Sequence, residues 1–237
     1  MSIFRTALVA ATLLAASAAA QAATVSYGTT PASTSTLTTG LKTTNFTTSL
    51  TLPKFDSALG TLTSVAIDFA GSVTSTISFE SKDAAPSTIT GTASATVTLT
   101  RPDNSQLAVV LPSNTRSASE TAYDGITDFL GSSGDTFSNI SGTLTAATVT
   151  LTSASDLAMF AGTGNILLPV IGTGSSSVSG AGNIVSAITT QASGSAYVVY
   201  TYTAADAPTP NDVPEPASMA LLGAGLAGLG LLRRRKA

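Results

Sequence analysis

The sequence of 237 residues contains no cysteine, no histidine and no tryptophan. Without cysteine and histidine the chain cannot form a Ser-His-Asp triad, a Cys-His pair, a His- or Cys-ligated zinc site or an iron–sulfur cluster. It also has no disulfides, so its fold must depend on core burial, which a domain of roughly 150 residues or more can supply. These absences exclude most metal-dependent and nucleophilic chemistries.

Charge is also scarce, because only 10% of the residues are Asp, Glu, Lys or Arg. Half of the ten cations lie at the two ends of the chain. The residues between the terminal segments carry five cations and twelve acids, a net charge of −7. Nucleic-acid binding requires clustered Lys and Arg to displace phosphate counterions, and the body has no such cluster. We therefore expect no nucleic-acid partner.

Three kinds of chemistry remain: paired carboxylates, a Ser-Lys dyad and oxygen-ligated calcium. Glu80, Glu120 and the aspartates could supply paired carboxylates, but a hydrolytic cleft normally needs more aromatic and charged residues than this body offers. Asp124, Asp128 and Asp135 lie in a Gly-rich stretch, which leaves a calcium or saccharide site open. Their spacing does not match an EF-hand, and Asp-Gly is first a turn former. We predict a protein that is not an enzyme, without catalytic residues, metal or cofactor.

Residues 1–22 have the pattern of a secretory signal peptide. A basic start at Arg5 is followed by a run of Ala, Leu and Val, and the segment closes on small residues at Ala20 and Ala22. Signal peptidase inspects these two positions, which predicts a mature N-terminus at Ala23. The predicted partners at this end are signal peptidase and the general secretion machinery.

The C-terminal residues 214–237 have three parts in a fixed order. A Pro-Glu-Pro tripeptide precedes an apolar run of 16 residues, which is just under the usual range of about 17 to 25 for a membrane-spanning helix. The run predicts a single hydrophobic helix of marginal span. The cations that follow it favour a cytoplasmic C-terminus, and they are Arg233, Arg234, Arg235 and Lys236.

This tail resembles the PEP-CTERM sorting signal of Gram-negative bacteria. The resemblance implies an exosortase, a transpeptidase-like enzyme of the inner membrane that acts near the Pro-Glu-Pro. It makes Val213, Pro214, Glu215 and Pro216 recognition residues, and it implies transient residence in the inner membrane or periplasm before delivery to the envelope, surface or extracellular matrix. The two prolines favour an extended segment that presents Glu215. A permanent membrane anchor that is never processed remains the alternative.

The body, residues 23–206, shows apolar residues with a period of two. This alternation places one strand face in a core and a Ser/Thr face in water, and no convincing helical stripe is present. The pattern predicts an all-β fold, an antiparallel β-sandwich or jelly-roll-like body, followed by a linker at 207–213. The alternating sets include Leu50 and Leu52; Val65, Ile67 and Phe69; Val73, Ile77 and Phe79; Ala93, Ala95, Val97 and Leu99; Leu107, Val109 and Leu111; Ile166, Leu168 and Val170; and Val198, Tyr200 and Tyr202.

Several phrases of the body resemble the choice-of-anchor E domain, an extracellular bacterial domain attached to different C-terminal anchors. They are Leu-Pro-Lys-Phe-Asp at 52–56, Tyr-Asp-Gly-Ile-Thr-Asp-Phe at 123–129 and Tyr-Thr-Tyr-Thr at 200–203. The resemblance implies no particular ligand or reaction.

Two functional classes follow from these observations. The first is a structural or adhesive surface protein whose Ser/Thr-rich face lies in an exopolysaccharide matrix. The second is a carbohydrate-binding module with a defined ligand. Exposed aromatic residues are predicted to be few, which favours the first class.

Overall fold

The computed structural model describes residues 22–28 and 37–205. By its internal contacts the chain divides into two units, Met1–Ala204 and Ala205–Ala237. The predicted signal peptide, apart from Ala22, and the predicted linker and C-terminal hydrophobic helix lie outside the described residues. Among the described residues no helix is long and apolar enough to cross a membrane.

The first antiparallel sheet is built around two very long strands. Because a strand rises about 3.3 Å per residue, a straight strand of 22 residues extends about 70 Å. The two long strands pair with each other. The outer edge of one of them also pairs with three short strands, and the outer edge of the other pairs with two further strands. The strands are β1 (Ala22–Gly28), β2 (Leu37–Thr38), β3 (Lys42–Thr43), β5 (Gly60–Ser81), β9 (Gly134–Thr145), β10 (Val149–Leu151) and β13 (Ile184–Ala204), with β5 and β13 at the centre.

The second antiparallel sheet is built around β6 (Ser87–Thr100). Along each edge of β6, two shorter strands pair with it one after the other. A sixth strand pairs with the outer edge of one of these four strands. The remaining strands are β4 (Phe46–Pro53), β7 (Gln106–Val110), β8 (Ser113–Glu120), β11 (Asn165–Gly174) and β12 (Ser177–Ser179). The two sheets share one apolar core, so the described part of the chain is a two-sheet antiparallel structure, as the alternation predicts.

The predicted alternation is confirmed most clearly along β5. Val65, Ile67 and Phe69 are fully buried, and Ile77 and Phe79 continue the same face. Gly71 does not divide this segment into two strands, because it lies on the buried face in the middle of one continuous strand. The alternate positions from Ala66 to Ser78 are Ala, Asp, Ser and Thr, and they face outward.

The prediction that Leu107, Val109 and Leu111 lie together on one buried strand face is wrong. Leu107 is buried, but Val109 is 38% exposed and Leu111 is 59% exposed, whereas Ala108 and Val110 are buried. The β6–β7 register shifts between Leu99 and Thr100. A bulge of this kind adds a residue to one strand and reverses which side chains face the core.

One short α-helix corrects the expectation of a body without helices. It is α1 (Ala154–Phe160), and its N-terminal cap is Ser153, whose hydroxyl accepts a hydrogen bond from the Asp156 amide. Seven residues make about two turns, too few to show a helical stripe in the sequence. A single 3-10 turn (Ser57–Leu59) is present between β4 and β5.

Two paired glycines of the first sheet are buried against the second sheet. Gly71 of β5 pairs directly with Gly194 of β13. A Cβ atom on Gly71 would lie 2.5 Å from Val110 Cγ2 and 3.1 Å from Val97 Cβ, both in the opposite sheet. A Cβ on Gly194 would lie 2.9 Å from Val170 Cγ1. These distances are shorter than van der Waals contact. The sheets can therefore pack at this spacing only because neither position carries a side chain.

Candidate functional site

The Gly-rich stretch singled out in the sequence forms a loop of residues 121–133 that connects β8 to β9. It folds over the end of β5, where Glu80 is completely buried. The Phe129 amide donates a hydrogen bond of 2.9 Å to Glu80 Oε2, and the Ser133 hydroxyl donates to Glu80 Oε1. A carboxylate that accepts two such bonds can be buried, because both oxygens are satisfied. Glu80 therefore organises the loop from 49 residues away in sequence.

Further hydrogen bonds fix both ends of this loop. The Thr121 amide donates to the Ser132 carbonyl, and the Ser81 amide donates to the Ser133 carbonyl, each over 2.9 Å. Phe129 has a φ angle of 62°, which is the left-handed region that few residues other than glycine adopt. Strain of this kind persists only where surrounding contacts hold the backbone, as the Glu80 bond to the Phe129 amide does.

The three aspartates that suggested a calcium or saccharide site accept hydrogen bonds from backbone amides one or two residues further along the chain. Asp124 Oδ1 accepts from the Ile126 amide and Asp128 Oδ1 accepts from the Leu130 amide, each over 3.0 Å. Asp135 belongs to β9 and accepts from the Thr136 amide over 2.6 Å. Within residues 22–28 and 37–205 no group of three acidic side chains is placed to hold a metal ion. These contacts favour the turn-forming role of Asp124 and Asp128.

Glu120 lies at the point where β8 enters the loop, and it is only 8% exposed. Burial raises the pKa of Glu120 above its ordinary value of 4.5, and the negative charges of Asp135 and Glu80 raise it further. The sequence analysis names Glu80, Glu120 and the aspartates as candidate paired carboxylates, but it cannot show that these three acids come together, because they lie on the separate strands β5, β8 and β9.

A second polar cluster joins α1 to the turn after β6. Arg101 Nε donates to Asp156 Oδ1 over 2.8 Å, and Arg101 Nη1 donates to the Ser105 hydroxyl over 3.2 Å. Hydrogen bonds from Arg101 and then from Ser153 hold the pKa of Asp156 below its ordinary value of 3.8. No sequence signal indicated this pair, because its partners are separated by 55 residues and one of them lies on an unpredicted helix.

We expect the Arg101–Asp156 pair to stabilise the fold at neutral pH and not in strong acid. A lowered carboxyl pKa gives stability that is present above the unfolded pKa and lost as the pH falls through the folded pKa. Asp156→Asn should therefore lower the free energy of unfolding by about 1 kcal/mol at pH 7, and the difference from wild type should vanish toward pH 2. Urea unfolding at several pH values measures this, and a pH-independent difference would contradict it.

The outer faces of both sheets carry rows of paired hydroxyl groups. Thr74 and Ser141 are 3.1 Å apart, oxygen to oxygen, and Thr90 and Ser117 are 2.8 Å apart. Two shallow hollows of about 220 and 410 Å³ lie at the sheet edge and beside α1. Neither hollow is lined by an aromatic or charged side chain. Neither therefore offers the stacking surface or the carboxylates that a sugar site uses.

The predicted signal-cleavage residues lie partly within the structure. Ala22 begins β1 and pairs with Thr203, and Ala23 pairs with Tyr202. Ala20 lies outside the described residues, as do the sorting residues Val213, Pro214, Glu215 and Pro216 and the cationic residues Arg233, Arg234, Arg235 and Lys236.

Solved structures that resemble the chain do so only weakly. The crystal structure of the infectious bursal disease virus VP2 subviral particle matches with a TM-score of 0.18 at 11% identity, over 78% of this chain and 38% of that one. The structure of the Gx strain of the same virus gives a TM-score of 0.16 at 10% identity, over 80% and 35%. This chain thus spans well under half the length of those chains, and likenesses this low carry no argument about function. No curated protein matches the chain.

One protein-family match is specific to the C-terminal end. Residues 212–236 match the PEP-CTERM protein-sorting motif. The match covers the Pro-Glu-Pro, the apolar run and the cations that the sequence analysis singled out. It indicates an exosortase-sorted surface protein, and it is consistent with export to the cell envelope or surface.

Proposed function

We propose that this protein is a structural or adhesive component of an extracellular polysaccharide matrix, delivered there by exosortase-dependent sorting. The observation that carries the proposal is the PEP-CTERM motif at residues 212–236. In this proposal, secretion removes residues 1–22, the tail holds the precursor in the inner membrane, and exosortase acts near the Pro-Glu-Pro. The body then acts outside the cell as a choice-of-anchor E-like domain without enzymatic activity.

The body supports this role through its surface chemistry. The paired hydroxyls on the outer faces, such as Ser72 with Thr143 and Thr74 with Ser141, present many weak hydrogen-bonding groups and little charge. Such a surface suits contact with hydrated polysaccharide over a broad area, since each hydroxyl contributes little by itself. A carbohydrate-binding module with one defined ligand is the second candidate, but the shallow hollows lack the aromatic platform that would favour it.

The sorting role is tested by replacing Glu215 with alanine. The change removes the one acid of the Pro-Glu-Pro and leaves the apolar run and the four cations untouched. We expect the variant to accumulate in the inner membrane at its uncut mass, while the wild type loses all or most of residues 217–237. Intact mass spectrometry of the membrane and envelope fractions measures both species.

The matched control is Asp212→Ala, which removes an acid just outside the tripeptide and should leave processing unchanged. An acid outside the bilayer contributes almost nothing to membrane insertion, so a permanent anchor predicts uncut protein for wild type and both variants. That result would replace the sorting proposal with a permanent single-span anchor.

A further inference from the structure

Strand β4 forms one edge of the second sheet, and its outer side has no strand partner among residues 22–28 and 37–205. Natural proteins protect such edges from other chains with short strands, charged residues, proline or bulges. Among the described edge strands, β4 is the longest that has neither a charged residue nor a shift of register. Its only proline, Pro53, is its last residue. The edge of β4 is therefore open to pairing with a further strand.

The position of Pro169 shows which backbone groups of β4 face outward. Ser49 lies directly opposite Pro169 of β11, which has no amide hydrogen to donate, and the Pro169 carbonyl accepts a hydrogen bond from the Thr100 hydroxyl of β6, on the side away from β4. Opposed residues of an antiparallel pair are alternately bonded and unbonded, and the backbone groups of an unbonded residue point away from the partner strand. The amide and carbonyl groups of Ser49 therefore face outward, as do those of Thr47 and Thr51. We call these three residues the free edge.

Both limits of the free edge are set by the structure. At its C-terminal end, the next outward carbonyl is that of Pro53, and it already accepts a 2.9 Å hydrogen bond from the Tyr200 hydroxyl. At its N-terminal end, Asn45 has a φ of 66°, which ends the extended backbone. The side chains of the free edge are exposed, and its outward amides and carbonyls have no backbone partner in the described part of the chain. Each of its residues thus offers one donor and one acceptor to a further strand.

We propose that β4 is a self-association surface, on which two copies of the chain join their free edges as antiparallel strands about a two-fold axis at Ser49. In this register Ser49 lies opposite Ser49 of the second copy, and Thr47 lies opposite Thr51. It is the one antiparallel register that pairs every residue of both free edges, and each opposed pair exchanges two backbone hydrogen bonds. Such an interface is closed and symmetric, so association stops at the dimer. The second sheet then continues across both bodies.

A second copy fits this edge because the edge is complementary to itself. It satisfies two free edges at once, and no charge on β4 brings like charges opposite each other. The opposed hydroxyl side chains would repeat a pairing that occurs within the body, where Thr74 and Ser141 are 3.1 Å apart and Thr90 and Ser117 are 2.8 Å apart, oxygen to oxygen. The hollow of about 220 Å³ lined by residues 37–38 and 49–51 lies at this same edge, and the second copy would cover it.

Single cysteines test the surface and its register, because the natural chain contains no cysteine. Opposed residues of a hydrogen-bonded pair have Cα atoms about 5.5 Å apart, a separation that a disulfide can bridge. Ser49→Cys should therefore give a disulfide-linked dimer when the full chain is mildly oxidised in detergent. Thr47→Cys and Thr51→Cys should each remain monomeric when oxidised alone, because like residues of the two copies lie about 13 Å apart, whereas an equimolar mixture should cross-link. Non-reducing electrophoresis and intact mass measure the products.

Ser117, which is exposed on β8 beyond the opposite edge of β6, provides the matched controls. Ser117→Cys should not cross-link. In sedimentation of the full chain in the same detergent, Ser49→Lys should convert the dimer to a monomer, whereas Ser117→Lys should leave it a dimer. The proposal is overturned if wild type sediments as a monomer, if the dimer persists in Ser49→Lys, or if Ser49→Cys cross-links no more than Ser117→Cys. Cross-linking of Thr47→Cys alone as readily as in its mixture with Thr51→Cys overturns it equally.

Discussion

Replacing Gly71 with valine is expected to lower the free energy of unfolding by about 3 kcal/mol, and replacing it with alanine by about 1 to 2 kcal/mol. Even the alanine Cβ would lie 2.5 Å from Val110 Cγ2 and 3.1 Å from Val97 Cβ. Both obstructing groups are short, β-branched side chains with little freedom to adjust. The two sheets must therefore separate locally, which also loosens the contacts beside the glycine pair.

Urea unfolding measures this cost, and two further variants identify its origin. Gly182→Ala is the matched control. Its new Cβ would lie 3.6 Å from the nearest atoms, the carboxylate oxygens of Asp83, which is an ordinary van der Waals separation. It should change the free energy of unfolding by less than about 0.5 kcal/mol. The double variant Gly71→Ala with Val110→Ala should lose less than the sum of the two single changes, since each relieves the other. Simple additivity would show that the approach of the sheets is not the cause.

Glu80→Ala is expected to destabilise the protein by about 2 to 5 kcal/mol, because it leaves the Ser133 hydroxyl and the Phe129 amide without their shared acceptor. The loop would lose the bond that holds Phe129 at a φ of 62°. We expect the loss of protection against proteolysis to begin within residues 121–133, before the sheets unfold. Urea unfolding and limited proteolysis with mapped cleavage sites measure the two effects.

The second buried glutamate of the described chain provides the comparison. Glu120→Gln is similar in size and burial, but the Glu120 carboxyl group makes no hydrogen bond within residues 37–205. It should leave stability unchanged or increase it at pH 7, where Glu80→Gln should decrease it. Equal losses at both positions would mean that burial of any polar side chain, and not the acceptor role of Glu80, determines the result.

The strands were predictable because their signal is local. Alternation along Val65, Ile67 and Phe69 identified a buried face, and the same alternation identified most of the other core positions. The prediction failed at Val109 and Leu111, because a bulge is set by the pairing of two strands and leaves no trace in the period of either one. The helix at 154–160 was missed because it is too short to show a period.

The candidate sites divide in the same way. The sorting motif was found from sequence because its three parts are consecutive, and a family match covers the same residues. The role of Glu80 cannot be found from a local sequence pattern, because its hydrogen bonds to Phe129 and Ser133 span 49 and 53 residues. Asp124 and Asp128 were singled out from composition alone, and the structure shows them capping their own turns.

The course of β13 has a mechanical consequence. Its last residue, Ala204, precedes the C-terminal segment directly, and it pairs with Gly60 at one end of β5, while Glu80 lies near the other end. A pull between Ala204 and loop 121–133 would act lengthwise along β5 and β13. Their hydrogen bonds lie across that direction and would resist in shear, all sharing the load at once.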